Sequence, residues 1–589
     1  MPNRFRADLI DVAWANEHTY GTNPPANSES VTAQTFKANQ SNVAGELWGQ
    51  WGLVSGGIDL PNPTYEWQPF FGLGVLDRNM MFPIQGRERL EGRIGSVLMC
   101  HDSSRLFMEQ CIGLIFNGQN ILTAAGTAVK TDGTAFTYAP STATLTADLN
   151  VNATNVSTLT VASGSFGVSS IKPADADKPP VAIVIIASAK SGTTSQANTV
   201  PNRYKDTWAF IGGHDGDGDV TKLEVYQDRG LTKSGWNGIF PSWATGVSGQ
   251  FSVHSITRED YNNSNQMLGV TADISENNGI IVRPTLTQES FMIAARFRAD
   301  DGSNFVTNYK GCKVSRVVFN FEEGNPVNYG VDFLAQDMRH NIGEDEGAAS
   351  RATTTLKYAA LGNGTDGSVT ATVAPAHMKD IRVTEQPHFY SRVELTFQGV
   401  AIARFRRFSL TVDNQLDPRY YITQNSAATP ADDRQILHEI LEGRRNITFS
   451  GSLDLDNAGH ATYPGAAAPS DVIFLRYLLN QAFTSTDIRD MATLKGIGIR
   501  IEVRRASNVS PGGASNTAYA HDKMFIYLPS NASTQTQGNE DEVGMVLRSA
   551  SMNAPAPPNI HVPMDLDGFC SSMHMEFLDN VADGAQAWG

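Results

Sequence analysis

Cysteine is scarce in this sequence: Cys100, Cys111, Cys312 and Cys570 are the four in 589 residues. None of them lies at CxxC spacing, which is typical of zinc and redox sites. Four cysteines also cannot form the dense disulfide framework of small secreted domains. We therefore expect reduced, buried thiols and neither a metal nor a cofactor bound by cysteine.

Charged residues are few as well, at 18% of the chain against about a quarter in a typical soluble domain. Much of the surface is therefore neutral and polar, and such a surface can pack against copies of itself with few charges to desolvate. The net charge of -16 excludes a general basic surface for nucleic acid and favours a wall that lets DNA pass. A plain soluble β protein has the same composition.

Long apolar runs are missing. The longest, residues 181–187, is far too short for a bilayer, which takes about 20 residues. The N-terminal segment contains no continuous apolar core, so neither a signal peptide nor a membrane partner is expected.

Catalytic motifs are missing too. The sequence contains no GxxxxGKS/T, HExxH or GxSxG pattern, and its histidines are scattered. We interpret His101 as part of the local structure. The prediction is that the chain is not an enzyme and binds no cofactor.

One acidic run has the spacing of a cation site. Asp215, Asp217 and Asp219 alternate as the oxygen ligands of a calcium loop do. The sixth loop position is Val220 instead of glycine, and the twelfth is Tyr226 instead of glutamate. An acidic turn is therefore the favoured interpretation, and the three aspartates are a weak Ca²⁺ candidate.

Strand patterns dominate the chain. Alternating or β-branched runs, separated by clusters of Gly, Asn, Asp and Pro, predict a mainly β fold with a minor helical part. These runs are residues 144–151, 156–161, 181–187, 223–226, 314–321, 393–397, 402–412, 447–455, 499–503 and 524–528.

Helical patterns are few. Residues 103–116 and 471–483 each carry one apolar stripe at helical spacing, and Asp102 or Ser103 is the expected cap of the first. A shorter helix is predicted at residues 434–441.

The two longer helix patterns belong to a weak internal repeat. A Gly-Arg pair, a Gly-Ser pair and a strand precede each helix, beginning at Gly86 and Gly95 in the first copy and at Gly443 and Gly451 in the second. This repeat predicts two related domains.

The predicted boundaries follow from that repeat. The first domain is residues 1–345, the second is residues 380–589, and residues 346–379 form a linker rich in Gly, Ala and Thr. The first domain has more chain than one such unit needs, so a β-rich subdomain is expected as an insertion at about residues 120–250.

Four segments resemble siphophage major tail tube proteins. They are residues 13–21 (AWANEHTYG), 309–324 (YKGCKVSRVVFNFEEG), 391–414 (SRVELTFQGVAIARFRRFSLTVDN) and 443–452 (GRRNITFSGS). These are patterns of strands and turns, not of catalytic residues. The chain is longer than most members of that family, which agrees with a duplication and an insertion.

The resemblance implies a fold and a function. The fold is a β-sandwich or half-barrel with one flanking helix, whose inner sheets join between subunits into one β-barrel. Rings of the chain stack into the hollow tube through which phage DNA is ejected. Two tube domains in one chain favour a trimer with a pseudo-sixfold ring, and a hexamer is the alternative if the second half is not a tube domain.

The resemblance also implies partners and contacts. A tape measure protein and a tail terminator are expected in the virion, after assembly in the host cytoplasm, and DNA passes through the lumen without specific binding. Loops at residues 61–86 and 414–443 are expected to stack the rings. The side chains expected between subunits are Val317, Phe319, Val393, Leu395, Phe397, Phe405 and Phe408.

Two other functions stay open. A distal tail, baseplate or decoration protein of the virion would share β-sandwich parts with a tube protein, and the insertion could then face the host. A carbohydrate-active tail enzyme would need two carboxylates at a defined separation, with tryptophans such as Trp67 lining a sugar groove. No paired carboxylates stand out on adjacent strands, so the enzyme is the remote alternative.

Overall fold

The computed structural model describes residues 5–17, 20, 51–70, 82–117, 158–160, 182–186, 207–214, 222–226, 251–256, 280–285, 288–299, 304–340, 387–397, 400–420, 437–454, 497–506, 520–528, 545–552 and 563–582. In these residues the one helix is α1 (His101–Ile112). The strands are β1 (Phe5–Asn16), β2 (Leu53–Val54), β3 (Ile58–Phe70), β4 (Phe82–Leu98), β5 (Gly113–Asn117), β6 (Thr158–Thr160), β7 (Ala182–Ile186), β8 (Thr207–His214), β9 (Lys222–Tyr226), β10 (Phe251–Ser255), β11 (Ile280–Pro284), β12 (Phe291–Ala299), β13 (Asn304–Glu322), β14 (Asn328–Leu334), β15 (Asp337–His340), β16 (Phe389–Phe397), β17 (Val400–Asp413), β18 (Asp417–Tyr420), β19 (Leu437–Leu441), β20 (Asn446–Asp454), β21 (Ile497–Ala506), β22 (Ala520–Leu528), β23 (Met545–Met552), β24 (Pro563–Cys570) and β25 (His574–Ala582).

The mainly β fold confirms the prediction made from alternation. Predicted runs at residues 314–321 and 402–412 lie inside β13 and β17. β14 shows why such runs form strands, because Tyr329, Val331 and Phe333 are buried while the residues between them are half-buried. The run predicted at residues 144–151 lies outside the described residues.

Helix α1 is shorter than predicted. It begins at His101, with Cys100 as its N-cap in place of Asp102 or Ser103, and it ends at Ile112. Gly113 ends it because its φ of 153° lies in the region that favours glycine, and a Cβ there would come within 2.5 Å of the Arg283 carbonyl oxygen. The chain then continues as β5, so the end of the predicted helix at residues 113–116 is wrong.

The helix predicted at residues 434–441 is also wrong in its described part. Residues Leu437–Leu441 form β19, which pairs with β18 in an antiparallel hairpin. Leu437 and Ile440 are buried at a spacing of three, and that spacing imitates a helical stripe. Pairing with β18 decides the outcome. The helix predicted at residues 471–483 lies outside the described residues.

Eight strands form one antiparallel row in the order β3-β4-β14-β13-β17-β20-β24-β23. We call it the eight-strand row. One face of the row packs on the core, and we call the opposite face the polar face. The first four strands come from the N-terminal half of the chain and the last four from the C-terminal half.

The order of pairing in this row occurs twice. In each half, the first two strands pair with each other: β3 with β4, and β17 with β20. The last two strands form a hairpin whose later strand lies next to this pair, so β14 precedes β13 in the row and β24 precedes β23. A second row repeats as well, because β1-β12-β13-β15 has the same sequential order as β16-β21-β22-β25. β13 is long enough to enter both rows, whereas β22 and β23 are separate strands in the second half.

Both halves share one hydrophobic core. Phe319 and Tyr329 from the first half and Phe408 and Phe449 from the second belong to the same buried cluster. α1 packs into it through Phe107, whose ring centroid lies 5.1 Å from that of Trp14. The division into two domains at residues 345 and 380 stays a prediction.

The predicted insertion contains a separate five-stranded sheet in the order β10-β7-β8-β9-β6. Its Ile183 and Phe210 pack against Leu114 and Phe116 of β5. The adjacent β5 residue Ile115 belongs to the main core instead. The inserted sheet therefore lies on the side of β5 that faces away from the main core.

Candidate functional site

The eight-strand row ends in two edge strands. Within the described residues, β3 pairs only with β4, and β23 pairs only with β24. An open edge presents a row of backbone N–H and C=O groups that a strand from another chain can bind. These two edges are the candidate assembly surface.

Prolines restrict one of these edges. Pro61, Pro63 and Pro69 lie on β3, and proline has no N–H to donate to a neighbouring strand. Pro69 also faces Pro83 of β4, so neither residue donates a hydrogen bond to the other. Three backbone donors are therefore missing from β3, and residues 58–60 form its proline-free start.

The pairing of β13 with β17 shows how the two halves are joined, and we call it the internal junction. Seven consecutive residue pairs run from Arg316–Asp413 to Glu322–Arg407. An arginine faces a carboxylate at each end of this ladder, and cross-strand neighbours of opposite charge stabilise a sheet. Two further backbone bonds extend it, from Glu323 N–H to Arg406 O at 3.0 Å and from Asn414 N–H to Ser315 O at 2.8 Å.

The predicted contact residues lie at or near this junction. Val317, Phe319, Phe405 and Phe408 are buried in the chain's own core, and Phe405 is only 3% exposed. This burial is within one copy, and the predicted role of these four residues between subunits stays a prediction. The other three, Val393, Leu395 and Phe397, lie on β16, whose backbone pairs with β21 and β17. Their role between subunits stays a prediction.

The polar face is lined by paired charges. Arg89 lies 3.0 Å from Glu66, Arg93 lies 3.6 Å from Asp332, and Arg548 lies 2.5 Å from Asp567. All three pairs are partly exposed, so each contributes little to stability. Their effect is on the local field, because an arginine with a carboxylate beside it offers less free positive charge to a phosphate.

A shallow groove of about 460 Å³ lies on the polar face. Serines and carboxylates from several strands line it, and no histidine or cysteine is among its lining residues. Besides these hydroxyls and carboxylates, the Arg407 guanidinium and the Asn320 amide line the groove. The lining includes Ser450, Ser452, Ser549, Ser551, Asp565 and Asp567.

A buried pair of histidines was not predicted from the sequence. His101 and His388 lie 287 positions apart, yet their ring nitrogens meet in the core. Backbone bonds join His388 to Met99 and Val327, so the start of β16 is fastened to the first half. His388 lies between Pro387 and the exposed Phe389, and these neighbours do not predict that its side chain is buried.

No cation site emerges in the described residues. Asp215, Asp217 and Asp219 lie outside them, so the weak Ca²⁺ candidate stays untested. In the described ranges, no three His, Cys, Asp or Glu side chains cluster closely enough to hold a metal ion. All four cysteines are buried free thiols, as expected. In the same ranges, no helix has the length and apolar character needed to cross a membrane.

These features define a class: a mainly β protein whose long antiparallel row ends in two edge strands. Residues 209–496, just under half of the chain, match a family model described as phage tail tube protein. The match confirms the resemblance to phage tail tube proteins over these residues. It supports a structural protein of a phage tail. No curated protein matches the chain.

Proposed function

We propose that this chain is the major tail tube subunit, and that its copies join by pairing β23 of one copy with β3 of the next. The internal junction supports this proposal. At the internal junction, β13 is the fourth strand of the first half and β17 is the first strand of the second half. At the free ends of the row, β23 is likewise a fourth strand and β3 is a first strand. The strand pairing between two copies then repeats the strand pairing between the two halves of one copy.

The proposed ring size rests on the resemblance to tail tube proteins, which implies six tube domains in a ring. Each copy contributes two four-strand units, so three copies supply six units in a pseudo-sixfold ring. A closed ring leaves no free strand edge, which removes the aggregation hazard of β3 and β23. A ring of six copies is the alternative if only one half of each chain enters the wall.

The polar face is proposed to line the lumen. The core covers the other face of the eight-strand row, and the inserted sheet packs on β5 away from that core, which supports an outward position for the insertion. Paired charges such as Arg93 with Asp332 would let duplex DNA pass without specific binding. No catalytic step is needed for this role.

Stacked rings complete the proposed tube of a siphophage tail. Contacts along the axis must be head to tail, since only such contacts extend without closing. A tape measure protein and a tail terminator are the expected partners that set and end tube growth, with assembly in the host cytoplasm and function in the virion.

Adjacent proline substitutions on β23 test this proposal. Neighbouring residues of a strand direct their N–H groups to opposite sides, so of Ala550 and Ser551 one faces β24 and the other faces the free edge. We expect Ala550→Pro and Ser551→Pro to differ: one variant lowers the melting temperature of the subunit, and the other melts normally but forms no tubes in electron micrographs.

Three results would contradict the proposal. Normal tubes from both variants would show that the edge of β23 is not used. Wild-type protein that never assembles would contradict the proposed role as a tube subunit. Assembly that stops at one ring would instead support a distal tail or baseplate protein.

A further inference from the structure

The β18–β19 hairpin of the second half rests on the first half. Lys313 Nζ donates to the Ile440 carbonyl at 3.1 Å and lies 2.5 Å from a carboxylate oxygen of Glu442. Gln336 Nε2 donates to the His438 carbonyl at 2.9 Å. The hairpin, which extends the β17–β20 pair, thus reaches across the internal junction and packs on the half that supplies β13.

One arginine marks this contact. The Arg87 guanidinium lies 5.3 Å from the centre of the Tyr420 ring, within the range of a cation–π interaction. Arg87 follows Gly86 on β4, and the sequence repeat matches this pair to Gly443 and Arg444. Arg87 therefore receives an aromatic ring from the hairpin of the following half.

The corresponding extension of the first half is the far end of the β3–β4 pair, and we call residues 65–67 with their β4 partners the aromatic arm. Tyr65 and Trp67 lie on it with ring centroids 6.5 Å apart. Trp67 is 57% exposed, the most of any large hydrophobic residue in the described part of the chain. Tryptophan and tyrosine are enriched among the residues that contribute most to protein interfaces, which makes this pair a candidate contact surface.

We infer that the aromatic arm docks on the second half of the neighbouring copy in the same ring, beside Arg444 and Leu441 of that copy. Within one chain, the hairpin of the second half packs beside the Gly-Arg pair of the first half. For the first half, the preceding half belongs to the copy that supplies β23. This inference rests on the proposed function and adds a second lateral contact to the strand pairing. It assigns residues 65–67, part of the segment 61–86 expected to stack rings, to a contact within one ring.

The acceptor has suitable chemistry. Arg444 is exposed in the segment between β19 and β20, and the sequence repeat matches it to Arg87 of the first half. Leu441 is 40% exposed beside it and offers apolar surface to an indole ring. An arginine over an aromatic face and an aliphatic side chain at its edge are what a docked tryptophan requires.

Substitution of Trp67 tests the energy of the contact. We expect Trp67→Ala to leave the melting temperature of the free subunit unchanged and to raise the critical concentration for assembly about tenfold or more, the effect of losing one central aromatic contact. Arg444→Ala should act in the same direction, and the double variant should add little to either. Phe389→Ala, at a residue 47% exposed on the second row, is the matched control and should assemble normally.

Cross-linking tests the position of the contact. The four native cysteines are buried, so a short bis-maleimide should react mainly with engineered ones in Trp67→Cys/Arg444→Cys protein. We expect covalent dimers and closed trimers with no larger species, or species up to six copies if the ring is a hexamer. A ladder that grows without limit would place the arm between stacked rings, and absence of cross-links in assembled tubes would reject the contact. Wild-type protein that forms no rings at all would reject the proposed function instead, so the two failures are distinguishable.

Discussion

His101 and His388 meet in the core with Nδ1 of the first 3.0 Å from Nε2 of the second, and both rings are buried. The pair joins the start of α1 to the start of β16. Burial lowers the pKa of His388 well below its ordinary value, and the neighbouring His101 and Arg505 lower it further. Arg505 is itself paired with Asp522 at 2.9 Å. A proton on His388 would therefore lie near His101 and the Arg505 cation, while the Asp522 carboxylate is already neutralised by Arg505.

A pH dependence of stability follows from this pair. In the unfolded chain His388 takes up a proton as the pH falls through about 6.5, whereas in the folded chain it stays neutral. The unfolded state then binds more protons, so the contribution of this site is complete above that pH and is lost as the pH falls further. We expect the melting temperature of His388→Gln to depend less steeply on pH below about 6.5 than that of the wild type. His438→Gln, at an exposed position, should keep the wild-type slope.

Phe405→Asp should act on folding and not on assembly alone. The ring of Phe405 is buried against Phe408, with centroids 5.3 Å apart, so the variant buries a carboxylate without a partner. A loss of about 3–5 kcal/mol in the free energy of unfolding is expected from urea titration. Arg406→Asp, at the exposed neighbour, should cost well under half of that. Equal stability of Phe405→Asp and wild type would contradict the buried position.

Glu17 fastens the end of β1 to the core. Its carboxylate accepts hydrogen bonds from the Gly311 N–H at 2.9 Å and the Ser290 hydroxyl at 2.8 Å. Glu17→Gln keeps one acceptor oxygen but turns an amide donor toward these donors, so we expect a loss of about 1–3 kcal/mol by chemical denaturation. Glu323→Gln, at an exposed ion pair with Arg406, is the control and should change stability by less than about 1 kcal/mol.

Gly113 should tolerate alanine less well than Gly324. Both have positive φ, at 153° and 80°, so alanine is strained at either position. A Cβ at Gly113 would also meet the Arg283 carbonyl oxygen at 2.5 Å, whereas nothing lies within 4 Å of one at Gly324. We expect Gly113→Ala to lower the melting temperature clearly more than Gly324→Ala does. The opposite order would show that α1 does not end against β11 in this way.

Neutralising carboxylates on the polar face should create DNA affinity in assembled tubes. Asp567→Asn and Glu66→Gln leave Arg548 and Arg89 without the partners they have at 2.5 and 3.0 Å. Free arginines bind phosphates in a salt-dependent manner, so duplex DNA should be retained at low salt and released as salt rises. Wild-type tubes serve as the control. Unchanged retention in the first two variants would argue that the polar face does not meet DNA.

The strands could be predicted from sequence because their signal is local. Alternation in residues 314–321 and 402–412 follows directly from a strand with one buried face. The helix predicted at residues 434–441 was wrong because the spacing of three between Leu437 and Ile440 fits both a helix and a short irregular hairpin. Only the pairing with β18, a non-local contact, separates the two.

The candidate assembly surface was less accessible to prediction. Phe405 and Phe408 are apolar strand residues, and sequence alone cannot tell a strand buried inside one chain from a strand buried between chains. The edges β3 and β23 are defined by strand order, which depends on contacts between residues hundreds of positions apart. The prolines of β3 were the one local sign of an edge, since proline is rare in central strands.

Cryo-electron microscopy of assembled tubes tests the central claim most directly. We predict a wall in which β23 of every copy lies antiparallel to residues 58–60 of the next, continuing the eight-strand row around a closed ring. A tube wall in which either edge faces solvent, or particles that remain single subunits under every assembly condition, would contradict it.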